Sequence, residues 1–333
     1  MKALVIGGTG LISVGILKHL QARGADITIL NRGQRAEAPA GVKQLTADRN
    51  DEAAMKAAIG SQKFDVVIDM VCFTPKQATQ IIRQFAGQCR QFIFCSTVCT
   101  YGVKVPPGVF VDETFPQEPI SNYGRDKLTC EKLFLEAHAR GDFAVTIIRP
   151  SSTYGEGGNL IDHLESSPVA WDRIEKGKPV LIGGDGLGLW VSTHRDDCGK
   201  AFAYAALNET TFGQSYNATR DTHLTWREIY RQVGGVLGKP VQAIFMPSAW
   251  IVAHDPSRFG LLREITQFHG AYSSAKAKQQ IPNYRCDIEF ADGAKRTLDD
   301  LRRRGKWKNS DGDTLYESMI DKALAAGVEV EVL

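Results

Sequence analysis

A glycine-rich turn near the amino terminus constrains the fold of this chain more than any other feature. An apolar run at residues 1–6 leads into Gly7 and Gly10, and residues 14–20 then follow a helical pattern. Glycine lets backbone N–H groups approach a pyrophosphate, and the positive end of the helix dipole favours the anion there. Ser13 holds the third place of this fingerprint, where glycine is usual, and is small enough to cause only a slight shift. The turn predicts a dinucleotide-binding strand–turn–helix unit.

The end of the second predicted strand bears on the choice of dinucleotide. That strand, residues 26–30, is followed by Asn31 and Arg32. A site that prefers NAD usually carries an acid here, which holds the ribose 2′-hydroxyl. Asn31, Arg32 and Arg35 would instead favour the extra phosphate of NADP through charge-assisted contacts. We therefore favour NADP, with NAD as the alternative.

Tyr123 and Lys127 are spaced for joint action on one bound molecule. Side chains four residues apart share one face of a helix. A free phenol has a pKa of about 10, and a nearby cation favours the phenolate, so the pair can exchange a proton near neutral pH. For the pair alone, a packed tyrosine beside a solvated lysine is the alternative. Together with the glycine turn, the pair predicts an enzyme that transfers hydride.

Further motifs occur in a fixed order along the chain. Asp48 follows the third predicted strand, residues 65–72 form an apolar fourth strand, and Thr97 stands four places before the Tyr101-Gly102 pair. With the Tyr–Lys pair and Pro150 after the sixth strand, the chain resembles the extended short-chain dehydrogenases/reductases of the NAD-dependent epimerase/dehydratase family, including atypical members. The resemblance runs over nearly the whole length.

The resemblance implies roles for individual residues. Tyr123 would be the general acid/base, Lys127 would lower its pKa and hold the nicotinamide ribose, and Thr97 would contact the reacting substrate oxygen. Tyr101 and Tyr154 have no lysine four residues later and are less suited to the role. The implied cofactor contacts are Gly7, Gly10, Leu11, Ile12, Asn31, Arg32, Asp48, Val71, Lys127 and Pro150. The candidate substrate contacts are Ser96, which is also the second choice for the reactive hydroxyl, Cys99, Ser152 and Trp190.

Two departures from the family pattern narrow the expected activity. Val98 and Cys99 replace the Asp-Glu pair of the dehydratases, so sugar dehydration is not expected. Trp190 stands four residues before His194, where sugar-nucleotide epimerases carry an arginine that clamps the diphosphate. A smaller sugar-like polyol, lactone or ketone becomes plausible. Trp190 could stack on a sugar ring, and a tryptophan packed in the core or at an interface is the favoured alternative. The arginines that could substitute for the missing clamp are Arg149, Arg173 and Arg195.

The alternation of elements predicts the architecture. Residues 1–150 alternate strands and helices, which indicates an α/β Rossmann domain with a doubly wound parallel sheet. Residues 151–333 are expected to form mainly a smaller, C-terminal substrate lobe. Segments near 190–220 resemble the family's return into the nucleotide domain, so the lobe is discontinuous in sequence. The family likeness also implies a homodimer formed through helices near 76–88 and 123–140.

Composition limits the classes of function. A net charge of +2, with acids and bases almost balanced, gives no general reason to expect a polyanionic partner. No membrane-spanning run or signal segment is evident, so a cytoplasmic enzyme is expected. The seven cysteines are scattered without metal-ligand spacing, so we expect reduced thiols and no metal.

The sequence leaves the reaction open between net oxidation or reduction and epimerisation through a transient ketone. A sugar-like small molecule is the expected partner. A non-catalytic or RNA-binding atypical member is the alternative, prompted by the basic cluster at residues 302–308, although acids precede it and aromatic residues do not interleave it.

Overall fold

The computed structural model describes residues 1–34, 38–106 and 108–333, so Arg35 lies outside the described residues. The strands are β1 Lys2–Ile6, β2 Asp26–Asn31, β3 Lys43–Thr46, β4 Val66–Asp69, β5 Gln91–Cys95, β6 Ala144–Pro150, β7 Ser152–Tyr154, β8 Val180–Gly183, β9 Leu189–Trp190, β10 Ser192–His194, β11 Gln214–Ala218, β12 Leu224–Thr225, β13 Gln242–Met246 and β14 Glu331–Val332.

The α-helices are α1 Leu11–Ala22, α2 Glu52–Ile59, α3 Pro75–Phe85, α4 Asn122–Ala139, α5 Val169–Glu175, α6 Arg195–Ala205, α7 Trp226–Leu237, α8 Ser248–His254, α9 Ala275–Gln280, α10 Phe290–Arg303 and α11 Thr314–Ala325. Two 3₁₀ turns, Val98–Tyr101 and Glu209–Thr211, and one π turn, Leu262–Thr266, complete the regular structure of the described residues.

Seven strands form one parallel sheet in the order β11-β6-β5-β4-β1-β2-β3. The order reverses between β1 and β4, and in open sheets of this kind a crevice lies beyond the carboxyl ends of the strands at the reversal. The central strands are apolar on both faces, and a buried cluster covers each face, as expected for a parallel sheet covered by helices. The predicted doubly wound fold class is confirmed.

Helices α1 and α6 cross with their backbones in contact. A Cβ added to Gly15 would lie 2.3 Å from the carbonyl oxygen of Arg195, and one added to Gly199 would lie 2.4 Å from the carbonyl carbon of Gly15. The two glycines therefore permit a closer approach than any larger residue would. This contact fixes the position of α1, whose first turn follows the glycine-rich loop.

The remaining strands form three small sheets: β8 with β13 and β14, β7 with β10, and β9 with β12. Two further buried clusters pack around them. The chain returns to the large sheet with α6 and β11, within the 190–220 segment. The assignment of residues 151–333 to a substrate lobe stays a prediction. No helix in the described part of the chain is long and apolar enough to cross a membrane.

Candidate active site

Two adjoining cavities follow the carboxyl edge of the sheet. The first has a volume of about 720 Å³ and the second about 320 Å³, and both are lined by Gly7, Gly10, Met70, Val71 and Phe73. They begin at the ends of β2 and β3 and reach the ends of β5 and β6. Every cofactor contact expected from the sequence lines one of them, as do Ser96, Thr97 and Tyr123.

The glycine turn is built for close approach of a ligand. Gly7 has φ +84°, and a Cβ there would lie 2.6 Å from Cγ1 of Val71. The Ser13 hydroxyl donates to the Gly7 carbonyl at 2.8 Å, so the serine in the third fingerprint place ties the turn to the helix. Gly10 is the N-cap of α1, and no side chain of the described residues caps the helix there. The first N–H groups of α1 are thus free to bind an anion, and the turn fits a pyrophosphate.

Polar groups line the first cavity at the ends of β2 and β3. The Asn31 side-chain oxygen accepts from the N–H of Gly33 at 2.8 Å. The Asp48 carboxylate accepts from the backbone N–H of Asn50 at 2.9 Å. Arg32 is exposed on the cavity wall. These residues could hold the adenosine part of a dinucleotide.

Arg49 is a residue of the first cavity that the sequence analysis missed. Its Nη1 donates to the Val71 carbonyl at 2.7 Å, and its Nη2 lies 3.2 Å from a carboxylate oxygen of the buried Asp69. The buried Nε of Arg49 has no hydrogen-bond partner among the described residues. The sequence signal that could have identified Arg49 was its position directly after Asp48, an expected cofactor contact.

Lys127 is only 1% exposed and is held by the backbone. Its ammonium donates to the carbonyls of Cys72 at 2.8 Å and Cys95 at 2.6 Å. It also lies 4.8 Å from the ring centroids of Phe73 and Phe94, where a cation is attracted to the ring faces. Because an ammonium carries three N–H groups, one remains available beyond the two carbonyls.

The Tyr123 side chain enters the second cavity. The residue is 44% exposed, yet burial of its phenol raises the pKa, the thiols of Cys95 and Cys99 raise it further, and the neighbouring Thr97 hydroxyl lowers it in part. The expected lowering by Lys127 is not found in the protein alone. The Lys127 ammonium is bound to carbonyls and lies 5.8 Å from the centre of the Tyr123 ring. The phenol is therefore protonated at neutral pH.

The two candidate hydroxyls after β5 have different partners. The Ser96 hydroxyl donates to the buried carboxylate of Glu131. The Thr97 hydroxyl oxygen instead accepts from the N–H of Cys99 at 3.2 Å, which leaves its hydrogen free to donate. Helix α4 packs closely against this loop because Gly124 has no side chain. A Cβ at Gly124 would lie only 2.6 Å from the Cys99 carbonyl oxygen. Thr97 is thus better suited than Ser96 to contact a substrate oxygen.

Three candidate substrate residues, Cys99, Ser152 and Trp190, lie outside the lining of both cavities as the described residues define it. Trp190 is buried, and its ring stacks on Trp226 at 5.2 Å between centroids. Successive residues of a strand point to opposite sides, so the neighbours of Ser152 line the second cavity in its place. Those neighbours, Ser151 and Thr153, were missed by the sequence analysis.

A parallel sheet with a glycine turn at its reversal point and a Tyr–Lys helix beside it defines a dinucleotide-binding Rossmann protein. The model of the NAD dependent epimerase/dehydratase family matches residues 3–218. The chain belongs to this family, which confirms the resemblance seen in the sequence.

The chain is similar to several curated proteins. It is 27% identical over 285 residues to the 2′-dehydrokanamycin reductase of Streptomyces kanamyceticus, covering 85% of this chain and 80% of the relative. It is 23% identical over 278 residues to the chloroplast stem-loop binding protein of 41 kDa b of Arabidopsis thaliana, covering 78% of this chain and 67% of the relative.

Solved structures share the fold. The UDP-glucose 4-epimerase of Thermotoga maritima, solved with UDP-glucose, has a TM-score of 0.73 and 19% identity, with 91% of this chain and 99% of that chain covered. The UDP-glucuronic acid 4-epimerase of Bacillus cereus, solved with NAD, has a TM-score of 0.72 and 18% identity, with 91% of this chain and 99% of that chain covered.

Proposed function

We propose that the protein is an NAD(P)-dependent oxidoreductase that reduces a ketone of a sugar-like substrate to a secondary alcohol. The observation that carries the proposal is the lining of the second cavity. Thr97, Tyr123 and Lys127 share that cavity, and it adjoins the glycine turn at Gly7 and Gly10. An acid, a hydroxyl donor and a cation thus surround one space large enough for a reacting group.

Each side chain has a task in this reaction. A bound nicotinamide dinucleotide supplies the hydride. Tyr123 donates its phenolic proton to the substrate oxygen, and Thr97 donates a hydrogen bond to the same oxygen. Lys127, held on the Cys72 and Cys95 carbonyls, offers its remaining N–H to the nicotinamide ribose and its charge to the developing oxyanion.

We propose reduction as the main activity because one relative is named as a reductase. Burial raises the pKa of the Tyr123 phenol, so the phenol holds at neutral pH the proton that a reduced ketone requires. Epimerisation through a transient ketone would use the same side chains and is the alternative.

The arginines that could clamp a diphosphate already have partners. Arg149 forms two hydrogen bonds with Glu131, at 2.9 and 2.6 Å. Arg173 donates to Glu317 at 2.9 Å and is 0% exposed. Arg195 donates to the Glu156 carbonyl. We therefore propose a sugar-like ketone without a nucleoside diphosphate as the substrate class.

The proposal is tested with the purified protein. The retained dinucleotide is identified after denaturation, and sugar-like ketones, lactones, polyols and UDP-sugars are screened by the change in nicotinamide absorbance. We expect turnover with ketones and none with UDP-sugars. Tyr123→Phe should reduce kcat by about 10²–10⁴-fold while dinucleotide affinity stays within twofold, because only the proton donor is lost.

Tyr204→Phe is the matched control, since Tyr204 lies on α6 and lines neither cavity among the described residues. It should keep the activity of the parent protein. Full activity of Tyr123→Phe would remove the assigned acid, and turnover of UDP-sugars would remove the proposed substrate class.

The RNA-binding alternative has less support. One relative is named a stem-loop binding protein, but the basic cluster at 302–308 is largely paired within the chain. Arg302 donates to Glu175 at 2.6 Å, and Arg303 and Arg304 both donate to Asp300. RNA binding with a steep salt dependence, together with no retention of a dinucleotide, would favour this alternative.

The homodimer stays a prediction. The helices it would use are α3 and α4, which match the predicted segments 76–88 and 123–140 closely. Light scattering on the purified protein would give the oligomeric state.

A further inference from the structure

A buried polar network lies behind the second cavity. Its members, Ser96, Tyr101, Glu131, Arg149 and Asn217, are between 0% and 4% exposed. The Ser96 hydroxyl and two nitrogens of Arg149 donate to the Glu131 carboxylate. The third nitrogen of Arg149 donates to the Tyr101 hydroxyl at 2.8 Å, which donates to the Asn217 side chain at 2.9 Å. The network joins the end of β5, the 3₁₀ turn, α4, β6 and β11.

Three successive turns of α4 face the end of β5. The residues 123, 127 and 131 are four apart and share one face of the helix. Tyr123 lines the second cavity together with Thr97, Lys127 donates to the Cys95 carbonyl, and Glu131 accepts from Ser96. The first two pairs contain the proposed catalytic groups. The third pair, Glu131 with Ser96, lies one helical turn further along α4 and is buried.

Helix α4 carries both Tyr123 and Glu131, the helix residue of this third pair. Tyr123 is 44% exposed, and its side chain lines the second cavity beside Thr97. The position of the Tyr123 side chain therefore depends on the position of helix α4. The Glu131 carboxylate is fixed by Arg149 from β6 and by Gln117, whose side-chain nitrogen donates at 3.0 Å, so it is a rigid acceptor for Ser96.

Resting on the function proposed above, we propose that Glu131, held by Arg149, is a positioning residue that binds α4 to Ser96 and thereby sets the Tyr123 phenol against the Thr97 hydroxyl. The same contact occupies the Ser96 hydroxyl, which explains why Thr97 is the residue that faces substrate. A buried ion pair is weak evidence for stability alone, because desolvation offsets its attraction, whereas a fixed geometry is what a proton-transfer site requires.

Ser96→Ala is the sharpest test, because it removes the contact between β5 and Glu131 and leaves the Glu131–Arg149 pair intact. Glu131→Gln weakens the same contact from the other side. Each variant should reduce kcat about tenfold or more, with dinucleotide affinity within twofold. The double variant should be no worse than the poorer single variant, because both changes break one connection.

A second measurement does not depend on activity. The ζ-carbon chemical shift of Tyr123, labelled with ¹³C-tyrosine and assigned through Tyr123→Phe, reports the hydrogen bond at its hydroxyl. It should move in Ser96→Ala and in Glu131→Gln. If the protein proves to have no oxidoreductase activity, the proposed function fails, while this shift still tests the positioning role.

Glu317→Gln is the matched control, because it breaks the pair with the buried Arg173 at a distance from both cavities. It should lower the melting temperature and change neither kcat nor the Tyr123 shift. The proposal is overturned if Ser96→Ala leaves both kcat and the shift unchanged. It is also overturned if Ser96→Ala lowers kcat while a folded Glu131→Gln does not, since Ser96 would then act directly on substrate. If Glu131→Gln does not fold, Ser96→Ala decides alone through its effect on the shift.

Discussion

Arg32 is the side chain on which the proposed preference for NADP depends. It is exposed on the wall of the first cavity, and the residues at the end of β2 include no acid for a ribose 2′-hydroxyl. A charge-assisted hydrogen bond contributes about 1.5–3 kcal/mol. Arg32→Ala should therefore weaken NADP binding about 10- to 100-fold and leave NAD binding within twofold, as measured by calorimetric titration of both dinucleotides.

Arg231→Ala provides the comparison, because Arg231 is also exposed and is paired with Glu228 on α7. It should change neither affinity. Equal losses of NAD and NADP affinity in Arg32→Ala would contradict the preference.

Individual residues differ in how far the sequence could predict them. Gly7 and Thr97 could be placed at the cavity from the sequence, Gly7 through the glycine-rich turn and Thr97 through its fixed distance from a motif; their roles stay predictions. The raised pKa of Tyr123 could not be predicted from the presence of Lys127, because it depends on where the ammonium finds its acceptors. Arg49 was missed because the expected family motif included Asp48 and not the residue after it, whose long side chain reaches the same cavity.

The crossing of α1 and α6 gives a prediction about two helices. A Cβ on Gly15 would overlap the Arg195 carbonyl, which cannot rotate away, so α1 must shift. Overpacking of this kind costs about 1–3 kcal/mol. Gly15→Ala should lower the free energy of unfolding by that amount and weaken dinucleotide binding, because the first turn of α1 moves with the helix. Urea denaturation and dinucleotide titration measure the two effects.

Gly235→Ala is the matched control on α7, where an added Cβ meets nothing within 4 Å. Alanine is the better helix former, so this variant should be about 0.5–1 kcal/mol more stable than the parent and bind the dinucleotide equally well. Stability of Gly15→Ala equal to that of the parent would show that α1 and α6 are not packed as closely as described.

Long, periodic elements were predictable, and very short ones were not. The alternation of apolar strands and helices in residues 1–150 indicated the parallel sheet, since buried parallel strands are continuous apolar runs. The β9–β12 pair has only two residues in each strand, too few for a periodic pattern. Trp190 was considered for stacking on a sugar ring because it replaces the arginine of the sugar-nucleotide epimerases, and the short strand that buries it gave no sign that its ring packs in the interior.

The stability of the whole molecule should depend on pH through His163. Its Nδ1 accepts from the Gly183 N–H at 3.2 Å. Its Nε2 lies 3.1 Å from the Thr266 carbonyl oxygen, so Nε2 must carry the proton. The ring also stacks on Trp226 at 4.6 Å. Burial lowers the pKa of His163 to about 3, and the folded protein keeps this imidazole neutral at any moderate pH.

In the unfolded chain the same imidazole has a pKa of about 6.5, so between that value and about 3 only the unfolded state binds the proton. The stability contributed by neutral His163 is complete above pH 6.5 and is lost as the pH falls, by up to about 1.4 kcal/mol per pH unit. The neighbouring Asp162 acts in the opposite direction, because burial raises its pKa and the folded state takes up its proton first. The difference between the parent protein and His163→Gln isolates the histidine. That difference in the free energy of unfolding, measured in urea, should shrink by about 2 kcal/mol from pH 7.5 to pH 5; a constant difference would mean that His163 is not the neutral, buried group described.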